Sequence, residues 1–328
     1  MPPVRKRSAR DSAAGKSPDE QLGRTAARQW SVVTGAQART VGLSQHQIDH
    51  RVRTKRWRRA ARDVFVLAGT RATWQQRAMV ACLAGPLGTV TSHLTAAAVY
   101  GLARAPEEPH VTIPRNAKGG RLGGARVRKA DLGPGDKAVK DRLPCTSPVQ
   151  TVLDCAEVLD REGLCDLVDS ALCRKLMQPS RLIRAAEGAQ RAARGSRRAG
   201  LGGLLEALEV WRSGAPPGSP PEAKLQRRLQ EWGFPPAQRQ VEVYDRQGRF
   251  LARADLGIVE WKVLLEYDRD EHHGPRCWIA DGERLDRVEQ ETGWRMVSVD
   301  RFDLRPSNDN LRDRLERLRP PGDEPLAA

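Results

Sequence analysis

Between Trp30 and Gly69 the apolar positions Ala38, Val41, Leu43, Ile48 and Val52 recur at helical spacing. Thr34 with Gln37 and Ser44 with Gln47 form two successive capping boxes, and Gly42 between them supplies a turn, so two short helices are expected to pack through the apolar set. The following RRAARDVFVLAG has the β-branched and aromatic character of a short strand ending at Gly69. Much later, SPPEAKLQRRLQEWGFPP predicts a helix. Ser219 is its N-cap, Pro220 its first residue, Glu222 its capping glutamate, Leu225 and Leu229 its stripe, and Gly233 its end. VEVYDRQGRFLARADLGI then alternates around an Asp-Arg-Gln-Gly turn as a hairpin, and VEWKVLLEYD continues as another strand.

These elements set the expected domain organisation. Residues 1–29 are polar and read as a disordered basic tail, followed by a helical-and-ribbon unit over 30–70 and a mixed domain over 71–178. The stretch RSGAPPGSPP breaks every periodicity, which makes 179–218 a helical connector and Pro-rich linker. A sheet domain is expected over 219–318, with a frayed tail over 319–328. The early run AMVACLAGPLGTV is too short and too broken to span a bilayer, and the N-terminus carries no secretory h-region, so a cytoplasmic protein without membrane contact is expected.

Charge narrows the partners. The 328 residues carry 56 Lys and Arg against 41 Asp and Glu, a net charge of +15, and a polyanion gains counterion-release entropy on such a surface. DNA is therefore the expected partner. The six cysteines form no CxxC pair and read as reduced packing residues, which argues against a zinc site or a disulfide scaffold.

Helix, turn, helix and ribbon is the sequence order of a winged helix-turn-helix, in which the second helix enters the major groove. The groove-facing side chains would then come from Gln45, His46, Gln47, Asp49, His50, Arg51 and Arg53, whose amides and guanidinium groups can read base edges, and Lys55, Arg56, Arg58 and Arg59 would hold phosphates. Seven of the twelve residues from Arg51 to Arg62 are basic, although such a run also suits a solvated face. The segment SVVTGAQARTVGLSQHQIDHRVRTKRWRRAARDVFVLAG resembles the N-terminal winged helix of AbiEi-type antitoxins. VTSHLTAAAVYGL, HVTIPR and RLPCTSPVQTVLDCAEVL are similar to the part of those proteins that follows. Here Ser92 and either Thr146 or Ser147 read as caps, and Ala96 to Ala98 as close-packed helix surface. The resemblance implies DNA-binding regulation, with a cognate toxin or a second copy of the chain as further candidate partners.

The second constellation is acidic. With the strand connection centred between Glu260 and Trp261, an antiparallel pair sets Asp255 opposite Glu266, and Asp268 shares the face of Glu266. Like charges opposed on a sheet are unfavourable unless a cation lies between them, so Asp255, Glu266 and Asp268 are expected to hold Mg²⁺ or Mn²⁺. His272 stands ready as a proton shuttle, and Arg284 and Arg287 as phosphate ligands. Glu222 is accounted for by its cap.

Glu222, Asp255, EYDRDEH and DGERLDRVEQETGWRMVSV resemble the endonuclease domain of Vsr-type mismatch endonucleases, in the PD-(D/E)XK restriction-endonuclease superfamily. That resemblance implies an active site of Glu222, Asp255, Glu266, Asp268 and His272, with Asp281 and Arg284 after it. The superfamily's usual lysine is replaced by Asp268 and the usual next glycine by Arg269. The expected fold class is α/β multidomain: a winged helix-turn-helix, a mixed middle domain and a C-terminal restriction-endonuclease-like mixed sheet flanked by helices. Three functions stay open: a Mg²⁺-dependent DNA endonuclease in phage defence, repair or a toxin–antitoxin setting, a non-catalytic DNA-binding regulator with an inactive nuclease fold, and a protein-interaction scaffold whose charge serves solubility, which the basic stripe disfavours.

Overall fold

Ser17 starts the first helix by accepting the Glu20 N–H, while the Glu20 carboxylate accepts the Ser17 N–H in return. The computed structural model describes residues 17–118, 122–192, 200–212, 216–268, 286–305 and 307–322, and the chain divides into two units, Met1–Cys155 and Ala156–Ala328.

The first unit begins with α1 (Pro18–Arg28), β1 (Val32–Thr34), α2 (Gly35–Thr40), α3 (Gln45–Arg53), β2 (Trp57–Ala61) and β3 (Val64–Leu67). Both expected capping boxes form, at Thr34–Gln37 and Ser44–Gln47, and Gly42 turns the chain at φ +94°. The strands make an antiparallel sheet in the order β1-β3-β2. Helix α1 corrects the expected tail from residue 17 onward, while residues 1–16 lie outside the described residues. Leu22 and Ala26, one turn apart, are buried in a cluster with Val33, Ala38, Leu43, Ile48, Trp57 and Phe65. A stripe of two apolar side chains in an otherwise polar segment gives a weak periodic signal, yet it seals this core.

The unit continues with α4 (Trp74–Ala84), β4 (Val90–Thr91), α5 (His93–Val99), β5 (His110–Ile113), β6 (Arg126–Lys129), β7 (Lys137–Lys140), β8 (Leu143–Thr146) and α6 (Pro148–Cys155). Its mixed sheet runs β6-β5-β4-β8-β7. Ala96 and Ala97 are fully buried on α5, as a close-packed helix surface requires. Ser92 occupies the N-cap position of α5, but its hydroxyl bonds His93 Nδ1 at 2.9 Å and caps nothing. The Thr146 hydroxyl likewise meets the Thr151 hydroxyl at 2.7 Å. Cys82, Cys145, Cys155 and Cys165 are buried free thiols, and burial pushes Cys82 up to about 12.

The second unit contains α7 (Arg161–Cys173), α8 (Pro179–Ala192), α9 (Leu201–Leu208), α10 (Pro220–Glu231), β9 (Gln238–Tyr244), β10 (Phe250–Ile258), β11 (Val263–Tyr267), a helix α11 over 286–292, β12 (Arg295–Val299) and α12 (Asn310–Glu316). Its sheet is ordered β12-β11-β10-β9, antiparallel except for the parallel β11–β12 pair. Helices α10 and α12 cover one face through Leu225, Leu229, Leu311 and Leu315 against Leu256, Ile258, Val263 and Leu265. Val288 of α11 packs with Ala252, Ala254 and Leu264.

The expected boundaries at residues 178 and 218 are also corrected. Asp169 on α7 pairs with Arg227 on α10 at 3.0 Å and accepts Trp211 Nε1–H at 2.9 Å, with Asp169 only 1% exposed. A buried ion pair of this kind makes α7 and α10 parts of one packed body. Gly200 is held by the same body: at φ +83° it lies where a Cβ would meet the Ala156 carbonyl oxygen at 1.7 Å.

Candidate nucleic-acid interface and the acidic strand edge

Ile48 anchors α3 in the core and turns the opposite face outward. His46, Asp49, His50 and Arg53 share that exposed face at helical spacing, with Gln45 at its edge. Lys55, Arg56 and Arg58 are exposed on the following turn and strand. Gln45 donates to Asp49 Oδ1 at 3.1 Å, and Arg53 reaches His50 Nδ1 at 3.2 Å, so the face is a connected polar surface.

Two residues expected to read bases are engaged elsewhere. Gln47 Oε1 accepts the Ser44 N–H at 2.9 Å, which completes the helix cap. Arg51 is drawn inward: its guanidinium donates to Asp19 on α1 at 2.9 Å and lies 5.7 Å from the Trp57 ring centre. Arg51 therefore ties α1 to α3 and is turned away from the exposed face of the helix. Arg59, expected among the phosphate-holding cations, is exposed on β2, 3.8 Å from Asp49 and over the Phe65 ring.

In the second unit the register follows the expected centre. Leu256 pairs with Leu265, Gly257 with Leu264 and Ile258 with Val263, so continuation by one residue sets Asp255 across from Glu266. Asp255 Oδ2 accepts the Tyr267 N–H at 3.0 Å, taking the place of a ladder carbonyl. Strict alternation breaks at this point. Ala252 and Ala254 pack with Leu264, while Leu256 and Ile258 pack with Leu265 and Val263. Gln240, which falls opposite Asp255, is left-handed at φ +52°. Glu266 and Asp268 are half-buried at the end of β11, where the Asp268 N–H donates to the Val299 carbonyl.

Glu222 is 8% exposed and is bonded at the start of its own helix. Its carboxylate accepts the Gly218 N–H at 2.9 Å and the Ser219 hydroxyl at 2.8 Å, so it closes the start of α10. Among the described residues no three His, Cys, Asp or Glu side chains are grouped to hold a metal ion, so Asp255, Glu266 and Asp268 do not form a ready-made three-acid cage. Arg287 is exposed on α11, whereas His272, Arg269, Asp281 and Arg284 lie outside the described residues. No described helix is long and apolar enough to cross a membrane.

No curated protein matches the chain. Among solved structures, the crystal structure of the RV2827C protein from Mycobacterium tuberculosis is similar over 64% of this chain and 80% of that one. The identity is 15% and the TM-score 0.34, too low a likeness to assign a fold. Residues 88–207 match the family model of the AbiEi antitoxin C-terminal domain, a span that contains VTSHLTAAAVYGL, HVTIPR and RLPCTSPVQTVLDCAEVL but not the segment before it.

Proposed function

We propose that this protein is a DNA-binding regulator of the AbiEi antitoxin type, whose residues 18–67 are a winged helix-turn-helix. The observation that carries the reading is α3. Its core-facing side is anchored by Ile48 while His46, His50 and Arg53 face outward above Lys55, Arg56 and Arg58. An outward helix with imidazole and guanidinium donors suits a major groove, and the flanking cations suit phosphates. The AbiEi match over 88–207 supports a toxin–antitoxin setting, with a cognate toxin as a further partner.

Fluorescence anisotropy on duplex DNA across a salt series tests this reading. Arg56→Ala is expected to lower the slope of log affinity against log salt by about 1 unit, as loss of one phosphate contact does. His46→Ala is expected to flatten sequence preference in a selection from random duplexes. Duplex affinity that ignores salt, or an α3 variant that binds like the wild type, would defeat the reading.

A second reading, a Mg²⁺- or Mn²⁺-dependent endonuclease, is supported by the Asp255–Glu266 register. Two carboxylates suffice for a hard divalent ion that keeps water and phosphate oxygens in the rest of its shell. When bound, such an ion supplies a water of lowered pKa and neutralises phosphodiester charge. Asp255 has one oxygen on the Tyr267 N–H and a second for a ligand, while Glu222 is held at its cap. Nicking of supercoiled DNA with Mg²⁺ or Mn²⁺, abolished by EDTA and by Asp255→Ala or Glu266→Gln, would establish it. Metal-independent binding without nicking would leave the regulator alone.

A further inference from the structure

The second unit's strand directions bring two aromatic–arginine clusters to one end of its sheet. Strands β9, β11 and β12 run the same way and β10 runs against them, so the ends of β9, β11 and β12 and the start of β10 lie together. At that end, Tyr244 of the outer strand β9 and Phe250 of β10 are cross-strand partners with ring centres 5.9 Å apart, and they are 48% and 58% exposed. Arg246 and Arg249 flank them at the hairpin tip, and Arg253 is exposed below. Beyond β12, Phe302 is 41% exposed, with the guanidinium carbons of Arg301 and Arg305 at 4.7 and 4.5 Å from its ring centre.

The acids fall between the two clusters. Gln240, Asp255, Glu266 and Ser298 form one row across the four strands. Tyr244 and Phe302 each lie four residues past that row, one beyond β9's row position and the other beyond β12's. Outer strands of a four-stranded sheet are about 14 Å apart, and β12 itself ends at Val299, after which a turn carries Phe302. The loop that carries Phe302 is firmly built. Asp300 Oδ1 accepts the Phe302 and Asp303 N–H groups, buried Asp303 pairs with Arg314 at 3.2 Å, and Asn308 donates to the Phe302 carbonyl at 2.8 Å. A loop fixed by so many bonds from within presents its ring and guanidinium groups in a set arrangement.

We propose that this end of the sheet binds a nucleic-acid strand with unpaired bases, which stack on Tyr244 and Phe250 while phosphates meet Arg301 and Arg305. Exposed rings stack on base faces, which a duplex keeps hidden, and guanidinium groups held over an aromatic ring are preorganised for phosphate oxygens. Glu242 restrains the tyrosine by accepting its hydroxyl at 2.5 Å, which keeps the ring beside Phe250. The site is separate from α3 and rests on the reading of this unit as one that faces nucleic acid.

The test uses the full chain in EDTA, with a labelled thymidine oligonucleotide and a labelled duplex measured side by side. Tyr244→Ala with Phe250→Ala, and separately Arg301→Ala with Arg305→Ala, are expected to lower the ratio of single-strand to duplex affinity about tenfold. Phe250→Trp, which keeps a stacking surface, is expected to hold that ratio at the wild-type value, and thermal melts check that each variant folds. His46→Ala with Arg53→Ala is expected to shift the ratio the other way. Wild-type protein that binds single strands without binding duplex would sustain this proposal and remove the α3 reading. The proposal is overturned if the wild type binds no single strand, if both double variants bind like the wild type, or if the α3 variant alone abolishes single-strand binding.

Discussion

His110 makes the stability of the first unit depend on mild acid. The residue opens β5 at 6% exposure, its N–H donates to Thr95 Oγ1 at 2.8 Å, and its ring meets the His93 ring edge-on at 5.7 Å. Burial lowers its pKa from 6.5 to about 4, helped by His93, Arg126 and Arg128 and opposed by Glu108. The folded state therefore binds fewer protons than the unfolded chain between those values. Its contribution is fully present above pH 6.5 and is lost as pH falls towards 4, at about 1.4 kcal/mol per pH unit. The loss is roughly 2 to 3 kcal/mol between pH 7 and 4.5, of the order of a quarter of a typical domain's stability. His110→Phe keeps an aromatic ring and removes the titration. Hydrogen exchange of β5 peptides across this pH range reports the first unit alone. The wild type should lose protection relative to the variant by that amount as pH falls, with the loss levelling off near pH 4. Parallel loss in both proteins would refute the assignment.

Other outcomes follow from single contacts. Asp169→Ala leaves Arg227 as an unpaired buried cation and should destabilise the second unit by about 3–5 kcal/mol, read by urea unfolding. Leu22→Ala should cost about 2–4 kcal/mol in the first unit; a value near zero would mean that α1 does not seal the core. Gly200→Ala meets the Ala156 carbonyl and should lower the melting temperature more than Gly42→Ala, whose Cβ meets nothing within 4 Å. Cys82, buried and pushed up to about 12, should resist thiol reagents in native protein at pH 8 and react on unfolding; rapid native labelling would contradict that burial.

The sequence alone determined the features whose physics is local. Capping boxes at Thr34–Gln37 and Ser44–Gln47 join residues three apart, so residue type and spacing are enough to place the starts of α2 and α3. The same holds for Glu222, whose cap is legible from Ser219 and Pro220, and for the Asp245–Gly248 turn, where Gly248 adopts φ +80°. The Asp255–Glu266 register was also within reach, because one short connection fixes an antiparallel pair. Tertiary structure decided what depends on distant partners. Leu22 and Ala26 make α1 part of the core only because Phe65 and Trp57 stand opposite, and Arg51 turns from the exposed face of α3 only because Asp19 on α1 takes its guanidinium. The Asp169–Arg227 pair joins residues 58 apart and moves α7 into the second unit. The end of the sheet where Tyr244, Glu266 and Phe302 gather is set by strand order and direction. No local hydrogen bond or spacing encodes that gathering, so it becomes visible only once the sheet is assembled.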